Sequence, residues 1–130
     1  MASIRKEIQL DARPEEVWDA VRDIGALHTR LVPGFVTDTR LEEGARIVTF
    51  GNGMVVRELI VDLDDQARRL VWSARGRLMH HNASAQVFPD GEKHTKLVWT
   101  ADLLPNEAAA DIRAMIELGA AAMQKAFAKR

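Results

Sequence analysis

Two side chains carry the sharpest chemical potential in this sequence: Glu58 and His81. A carboxyl and an imidazole on the concave side of a sheet would sit in low dielectric. There the carboxyl pKa rises, or imidazolium holds it charged. Such a pair can serve as general acid and base, or it can hydrogen-bond the polar end of a bound molecule. The plainer alternative is that Glu58 pairs with Arg57, Arg75 or Arg77 and that His81 is a satisfied core histidine. His80-His81 resembles a metal pair, but adjacent strand residues point to opposite faces, and no zinc spacing is present. No metal site is expected. His28-Thr29-Arg30 precedes Pro33-Gly34, where His28 or Arg30 could meet an acidic headgroup at the mouth of a cavity. Gly51-Asn52-Gly53 is a hairpin turn, not a phosphate loop, because it leads no helix and lacks the Lys-Ser/Thr. No Gly-x-Ser-x-Gly and no Ser-His-Asp arrangement is legible. No cofactor is legible either.

The elements that must position these groups follow from periodicity. Ile4, Lys6, Ile8 and Leu10 alternate with Arg5, Glu7, Gln9 and Asp11, which predicts a half-buried strand. Asp11 is placed to cap the next helix, Pro14 suits its first turn, and Glu15 and Glu16 suit its positive end. Val17, Trp18, Val21 and Ile24 recur at helical spacing, predicting a helix that ends near Gly25. A broken helical turn then runs to Pro33-Gly34. Strands are predicted over Phe35 to Leu41, Ala45 to Phe50, Met54 to Leu63, Arg69 to Ala74, His80 to Phe88 and Thr95 to Leu103. Turn chemistry separates them at Glu43-Gly44, Gly51-Asn52-Gly53, Asp64-Asp65, Gly76 and Pro89-Asp90-Gly91. A long helix opens at Pro105-Asn106-Glu107. Its stripe is Ile112, Met115, Ile116, Gly119, Met123 and Phe127. Roughly 22 residues would span about 33 Å, enough to cross a sheet of this size. The fold class is α+β: a curved antiparallel sheet of about seven strands around a C-terminal helix, with two short helices after the first strand.

Composition narrows the function classes. The chain has 130 residues, 47% hydrophobic and 28% charged, with a formal net charge of -1, which suits one soluble domain over 1–130. Cysteine is absent, so disulfide and thiolate chemistry are excluded. Basic residues are dispersed and aromatics are 5%, which gives no nucleic-acid footprint. No signal peptide and no stretch near the roughly 18 apolar residues of a membrane span is visible, so a cytoplasmic protein without stable membrane insertion is expected.

The order of local signals resembles the START/SRPBCC superfamily, which includes birch-pollen-allergen-like proteins and the polyketide cyclase/dehydrase and lipid-transport proteins. The carriers are Ala12-Arg13-Pro14-Glu15-Glu16-Val17-Trp18, Asp23-Ile24-Gly25-Ala26-Leu27, Arg57-Glu58-Leu59-Ile60 leading to Asp64-Asp65, Leu97-Val98-Trp99-Thr100, and the Gly119-bearing helix. Members often carry a Trp before the Pro of the second helical turn; here Arg30-Leu31-Val32 precede Pro33. The resemblance implies a helix-grip fold around a cavity for a hydrophobic ligand.

Alternation settles most inward faces: Ala83, Ala85 and Val87 with His81; Leu97, Trp99 and Ala101; Leu70, Trp72 and Ala74. The Met54–Leu63 strand stays open. Periodicity slightly favours burying Val55, Arg57, Leu59, Val61 and Leu63, whereas the resemblance favours Met54, Val56, Glu58 and Ile60 inward. On the second choice Val55, Leu59 and Val61 form an outer apolar row that points to a homodimer. Small inward residues (Ala83, Ala85, Ala101 and Gly119) either leave space for a ligand or let helix and sheet approach closely. A pocket here should lie at the low end of about 300–1,000 Å³. The expected ligand-binding set is Glu58, His81, Trp99, Trp72, Val56, Ile60, Ala83, Leu97, Met115, Ile116, Gly119, Met123, Phe35, His28 and Arg30. Carriage or sensing of a small hydrophobic molecule is the leading reading. A cyclase- or dehydrase-type enzyme using Glu58 and His81 is the first alternative, and a protein-interaction module such as a chaperone partner is the second.

Overall fold

In the computed structural model, residues 1–128 are described. The strands are β1 (Ala2–Leu10), β2 (Val36–Glu42), β3 (Ala45–Phe50), β4 (Val55–Asp64), β5 (Arg69–Arg75), β6 (His80–Pro89) and β7 (Thr95–Leu104). Helix α1 is Pro14–Arg22, a π-helical turn covers Leu27–Leu31, and α2 is Ala109–Ala126 after a 3-10 turn at Asn106–Ala108. The seven strands form one open antiparallel sheet in the order β1-β7-β6-β5-β4-β3-β2. This is the α+β helix-grip architecture that the sequence predicts.

Several ends differ from expectation. Helix α1 stops at Arg22, short of Gly25, and Arg13 rather than Asp11 occupies its N-cap, without a side-chain cap. Asp11 instead faces His94, 3.0 Å from its Nε2. The second helical turn is wider than an α-turn, because the Val32 amide bonds the Leu27 carbonyl five residues back. Helix α2 has 18 residues, not about 22, since the 3-10 turn occupies its expected start.

The ambiguous strand resolves through a bulge. In β4, Glu58 pairs with Ala74 and Ile60 with Trp72, but Asp62 pairs with Val71 and Leu63 with Leu70. Val61 is the extra residue. One extra residue flips every following side chain. Glu58 and Ile60 therefore face inward before the bulge, and Leu63 faces inward after it, packed against the core. Val55 and Val61 remain exposed, whereas Leu59 between them is half-buried.

The inner face holds the core. Ile4 and Ile8 of β1, Leu97, Ala101 and Leu103 of β7 and Ala83 of β6 are buried, as are Ile116, Ala120 and Met123 of α2. Helix α1 contributes Val17, Trp18 and Val21. The helix is tied to the β4–β5 turn by Asp65, which accepts from Trp18 Nε1 at 2.9 Å and Arg22 Nε at 2.7 Å.

Gly119 sets how closely α2 meets the sheet. A Cβ there would lie 2.8 Å from the Trp99 ring and 3.1 Å from that of Phe35. The missing side chain lets both rings press on the helix. In an open helix Gly→Ala gains about 1 kcal/mol. Here we predict that Gly119→Ala loses stability, by about 1–3 kcal/mol of overpacking. Urea denaturation reads this directly, and a higher midpoint for the variant would contradict the packing.

Candidate functional site

Between the sheet and α2 lies a cavity of about 830 Å³, towards the upper end of the size range for ligand pockets rather than the lower end expected. Its apolar wall includes Phe35, Val56, Trp72, Trp99, Met115, Ile116 and Met123. Ala74, Ala85 and Ala101 line it as well, so their short side chains leave volume that larger residues would fill. Trp72 and Trp99 stand with ring centroids 6.3 Å apart, tilted by 53°.

The polar floor of the cavity is an ion pair. Glu58 is inward and buried, and its Oε1 accepts from Arg46 Nε at 2.9 Å. Arg46 is itself 3% exposed, lies 5.7 Å over the Trp72 ring and reaches the Ile24 carbonyl at 3.4 Å. The two residues are direct cross-strand partners in the β3–β4 register. Arg57, Arg75 and Arg77 are therefore not the partners of Glu58. Arg57 turns outward to Glu42 at 3.3 Å. Both Arg46 and Glu58 border the cavity, and no buried polar side-chain atom among the described residues lacks a partner. The second Glu58 oxygen makes no protein hydrogen bond among those residues, so it stays accessible to whatever fills the space. Arg46 was not expected from sequence. Its strand, Ala45-Arg46-Ile47-Val48-Thr49-Phe50, is apolar on both parities, and only the pairing register discloses its partner.

His81 also lines the cavity but does not touch Glu58. Its Nδ1 accepts from the Ala74 amide at 3.0 Å, so the ring proton of the neutral form sits on Nε2. Burial pushes its pKa below the usual imidazole value, and the neighbouring His80 pushes in the same direction. The ring is therefore a neutral hydrogen-bond donor at neutral pH. Glu58 on β4 and His81 on β6 flank Ala74 on β5, two strand spacings or about 10 Å apart at the backbone. The β5–β6 ladder ends at Trp72–Ala83, and Ser73 Oγ then donates to the His81 carbonyl. The strands part there and open the cavity beside the β5–β6 loop.

Six expected members of the site are elsewhere. Ile60, Ala83 and Leu97 pack into the core away from the cavity wall. Gly119 lies behind Trp99. His28 Nδ1 meets Thr39 Oγ1 at 3.1 Å. Arg30 reaches back to Asp19 of α1 at 2.6 Å and to Asp23, the C-cap of α1, at 3.0 Å, away from the cavity wall. The acids of the preceding helix were a local signal for that pairing. Among the described residues no group of three or more His, Cys, Asp or Glu could hold a metal ion, and no helix is long and apolar enough to cross a membrane.

The family model described as "Polyketide cyclase / dehydrase and lipid transport" matches residues 1–130. The chain belongs to this family. No curated protein matches it. Among solved structures, a Thermobifida fusca protein is 29% identical with a TM-score of 0.79, covering 100% of this chain and 93% of that one. A START superfamily protein from Mycobacterium smegmatis is 12% identical, with a TM-score of 0.76 and 96% of each chain covered. The Zhui aromatase/cyclase from Streptomyces sp. R1128 is 17% identical, with a TM-score of 0.70 over 97% of this chain and 90% of that one. The polyketide cyclase/dehydrase and lipid-transport assignment agrees with the START-like, helix-grip fold described above.

For this family member, the buried pair makes a sharp energetic prediction. Arg46→Met strands a buried carboxylate and should cost about 3–5 kcal/mol, because the remaining charge has no partner. Arg46→Met combined with Glu58→Leu should recover most of that loss. A double-mutant cycle by urea denaturation measures the coupling. Additive losses would mean that the two charges do not depend on each other.

Proposed function

We propose that this protein binds a small hydrophobic molecule between the sheet and α2, as a carrier or sensor, with the polar end of the ligand directed at the Arg46–Glu58 pair. The observation that carries this reading is a cavity of about 830 Å³ whose apolar wall surrounds one buried ion pair. A largely apolar pocket with few convergent polar groups is the usual form of a small-molecule site. Apolar wall area would supply affinity, and the accessible carboxylate oxygen and guanidinium edge would orient the ligand. Neutral His81 offers a further donor from Nε2. The family description, which includes lipid transport, agrees with such a ligand class.

A cyclase- or dehydrase-type reaction would have to draw on Glu58 and His81. Glu58 is engaged by Arg46, and the imidazole stands across Ala74 from it. Binding is therefore the reading with more support.

The test uses 1-anilinonaphthalene-8-sulfonate as an apolar probe of the folded protein. Its fluorescence should rise saturably at one site per chain. Ala85→Phe, which projects a ring into the cavity, should weaken binding at least tenfold. Ala74→Leu, on the neighbouring strand β5, should do the same and guards against a folding defect at position 85. If both variants stay folded and bind as the parent does, the probe lies outside the cavity and the reading fails.

A further inference from the structure

The β5–β6 ladder stops before either strand does. Its last pair is Trp72–Ala83, yet β5 runs on to Arg75 beside β4, and β6 starts at His80 beside β7. Carrying the same register two residues further would set Ala74 opposite His81. These two residues do meet, but through side chains. The Ala74 amide donates to His81 Nδ1 at 3.0 Å, and the His81 carbonyl accepts from Ser73 Oγ. A ring and a hydroxyl thus stand between the strands where the ladder would continue. They bridge a slit inside the sheet, and the slit opens on the cavity: Ala74, Arg75, Gly76, Arg77, Leu78 and His81 all line it. On the β6 side the loop is anchored by the Met79 amide, which donates to the Leu104 carbonyl at 2.9 Å.

A proton removes the imidazole acceptor. Nδ1 accepts only in the neutral ring, whereas both nitrogens of the charged ring are donors. An imidazolium here would turn a donor towards the Ala74 N–H. The surroundings do not compensate. Arg75 of β5 and Arg77 of the loop are cations, and His80 is a second imidazole. The β7 residue opposite His81 is Leu103. Glu58 of β4 is engaged by Arg46, and Asp111 of α2 borders the cavity without pairing with the ring. Among the described residues His81 is in no ion pair. The other bonded histidines hold no backbone: His28 meets the Thr39 hydroxyl and His94 meets Asp11.

We propose that His81 is a proton-operated latch on the cavity mouth: neutral, it clamps β5 to β6 at Ala74, and protonated, it releases Ala74 and the loop Gly76–Leu78. Burial holds the clamped ring below the ordinary imidazole value of 6.5, and release returns it towards that value. The clamp is therefore complete above the ordinary value and is lost as the pH falls from there through the lowered one. Acid then widens the slit and speeds the passage of a ligand. That consequence rests on the cavity reading, whereas the latch itself is read without ligand.

Amide hydrogen exchange followed by nuclear magnetic resonance, from about pH 7.5 to about pH 4.5, tests it. Corrected for intrinsic exchange, protection at Ala74 should fall by up to about tenfold per pH unit below about 6.5. Amides of the β1–β7 ladder should keep theirs. His81→Asn places a non-titrating oxygen acceptor near the position of Nδ1, so its Ala74 protection should not change with pH. His81→Gln serves where the shorter amide fails to fold, and the urea midpoint checks each variant. His81→Leu has no acceptor and should leave Ala74 unprotected already at about pH 7.5. A parent whose Ala74 protection stays flat overturns the latch, as does a folded amide variant with the parent's pH dependence. The dissociation rate of 1-anilinonaphthalene-8-sulfonate should rise in step in the parent, and a rate that ignores the opening overturns the gating role. A latch that opens in a protein that never binds the probe removes only the cavity reading. Bound probe with Ala74 protected throughout removes only the latch.

Discussion

The arrangement depends on an ion pair held out of water. Arg46 and Glu58, with side chains 4% and 9% exposed, sit on adjacent strands beneath Trp72. A buried pair of this kind is costly to desolvate, and well-packed apolar residues of similar volume are often at least as stable. Stability alone therefore gives a weak account of why two charges occupy the floor of an apolar space. Their geometry gives a stronger one. Arg46 commits Nε to one carboxylate oxygen and turns another edge towards the Ile24 carbonyl, in the segment joining α1 to the π-helical turn. The pair thus fixes the relation of that segment to β3 and β4 while leaving polar atoms open to the cavity.

Around this floor, volume is set by a few small residues. Ala74, Ala85 and Ala101 form the part of the sheet beneath the cavity, and Gly119 lets Trp99 and Phe35 press against α2. Large and small residues thus have separate duties. The rings of Trp72 and Trp99 define the walls, the alanines keep the space open, and the glycine brings the helix near enough to cover it. The early end of the β5–β6 ladder, where the His81 imidazole takes the Ala74 amide, opens one side. The same break sends the Arg75–Met79 segment out as the rim.

Much of this was legible in sequence because it follows local periodicity. The alternation of Leu97, Trp99 and Ala101 and the stripe of Ile112, Met115, Ile116, Gly119 and Met123 identify their faces without any partner. The inward orientation of Glu58 was not legible that way. A bulge at Val61 places Glu58 and Leu63 on the same side, which no single unbroken period can describe. Arg46 escaped for a non-local reason: both parities of its strand are apolar, and its meaning comes from the residue opposite it. Arg30 pairs with acids only 7 and 11 residues earlier, a pairing that strand and helix periodicity does not bring out. Cavity size was underestimated because short side chains are equally compatible with close packing and with space.

The central claim is that a hydrophobic ligand occupies the cavity with its polar end at Arg46 and Glu58. The most direct test follows the Arg46 Nε–H and the indole N–H signals of Trp72 and Trp99 by nuclear magnetic resonance during titration with 1-anilinonaphthalene-8-sulfonate. The account predicts that all three shift together and saturate at one equivalent, while the Trp18 indole, which does not line the cavity and is bonded to Asp65 of the β4–β5 turn, stays in place. Shifts confined to surface residues, with Arg46 and both cavity tryptophans unmoved, would contradict it.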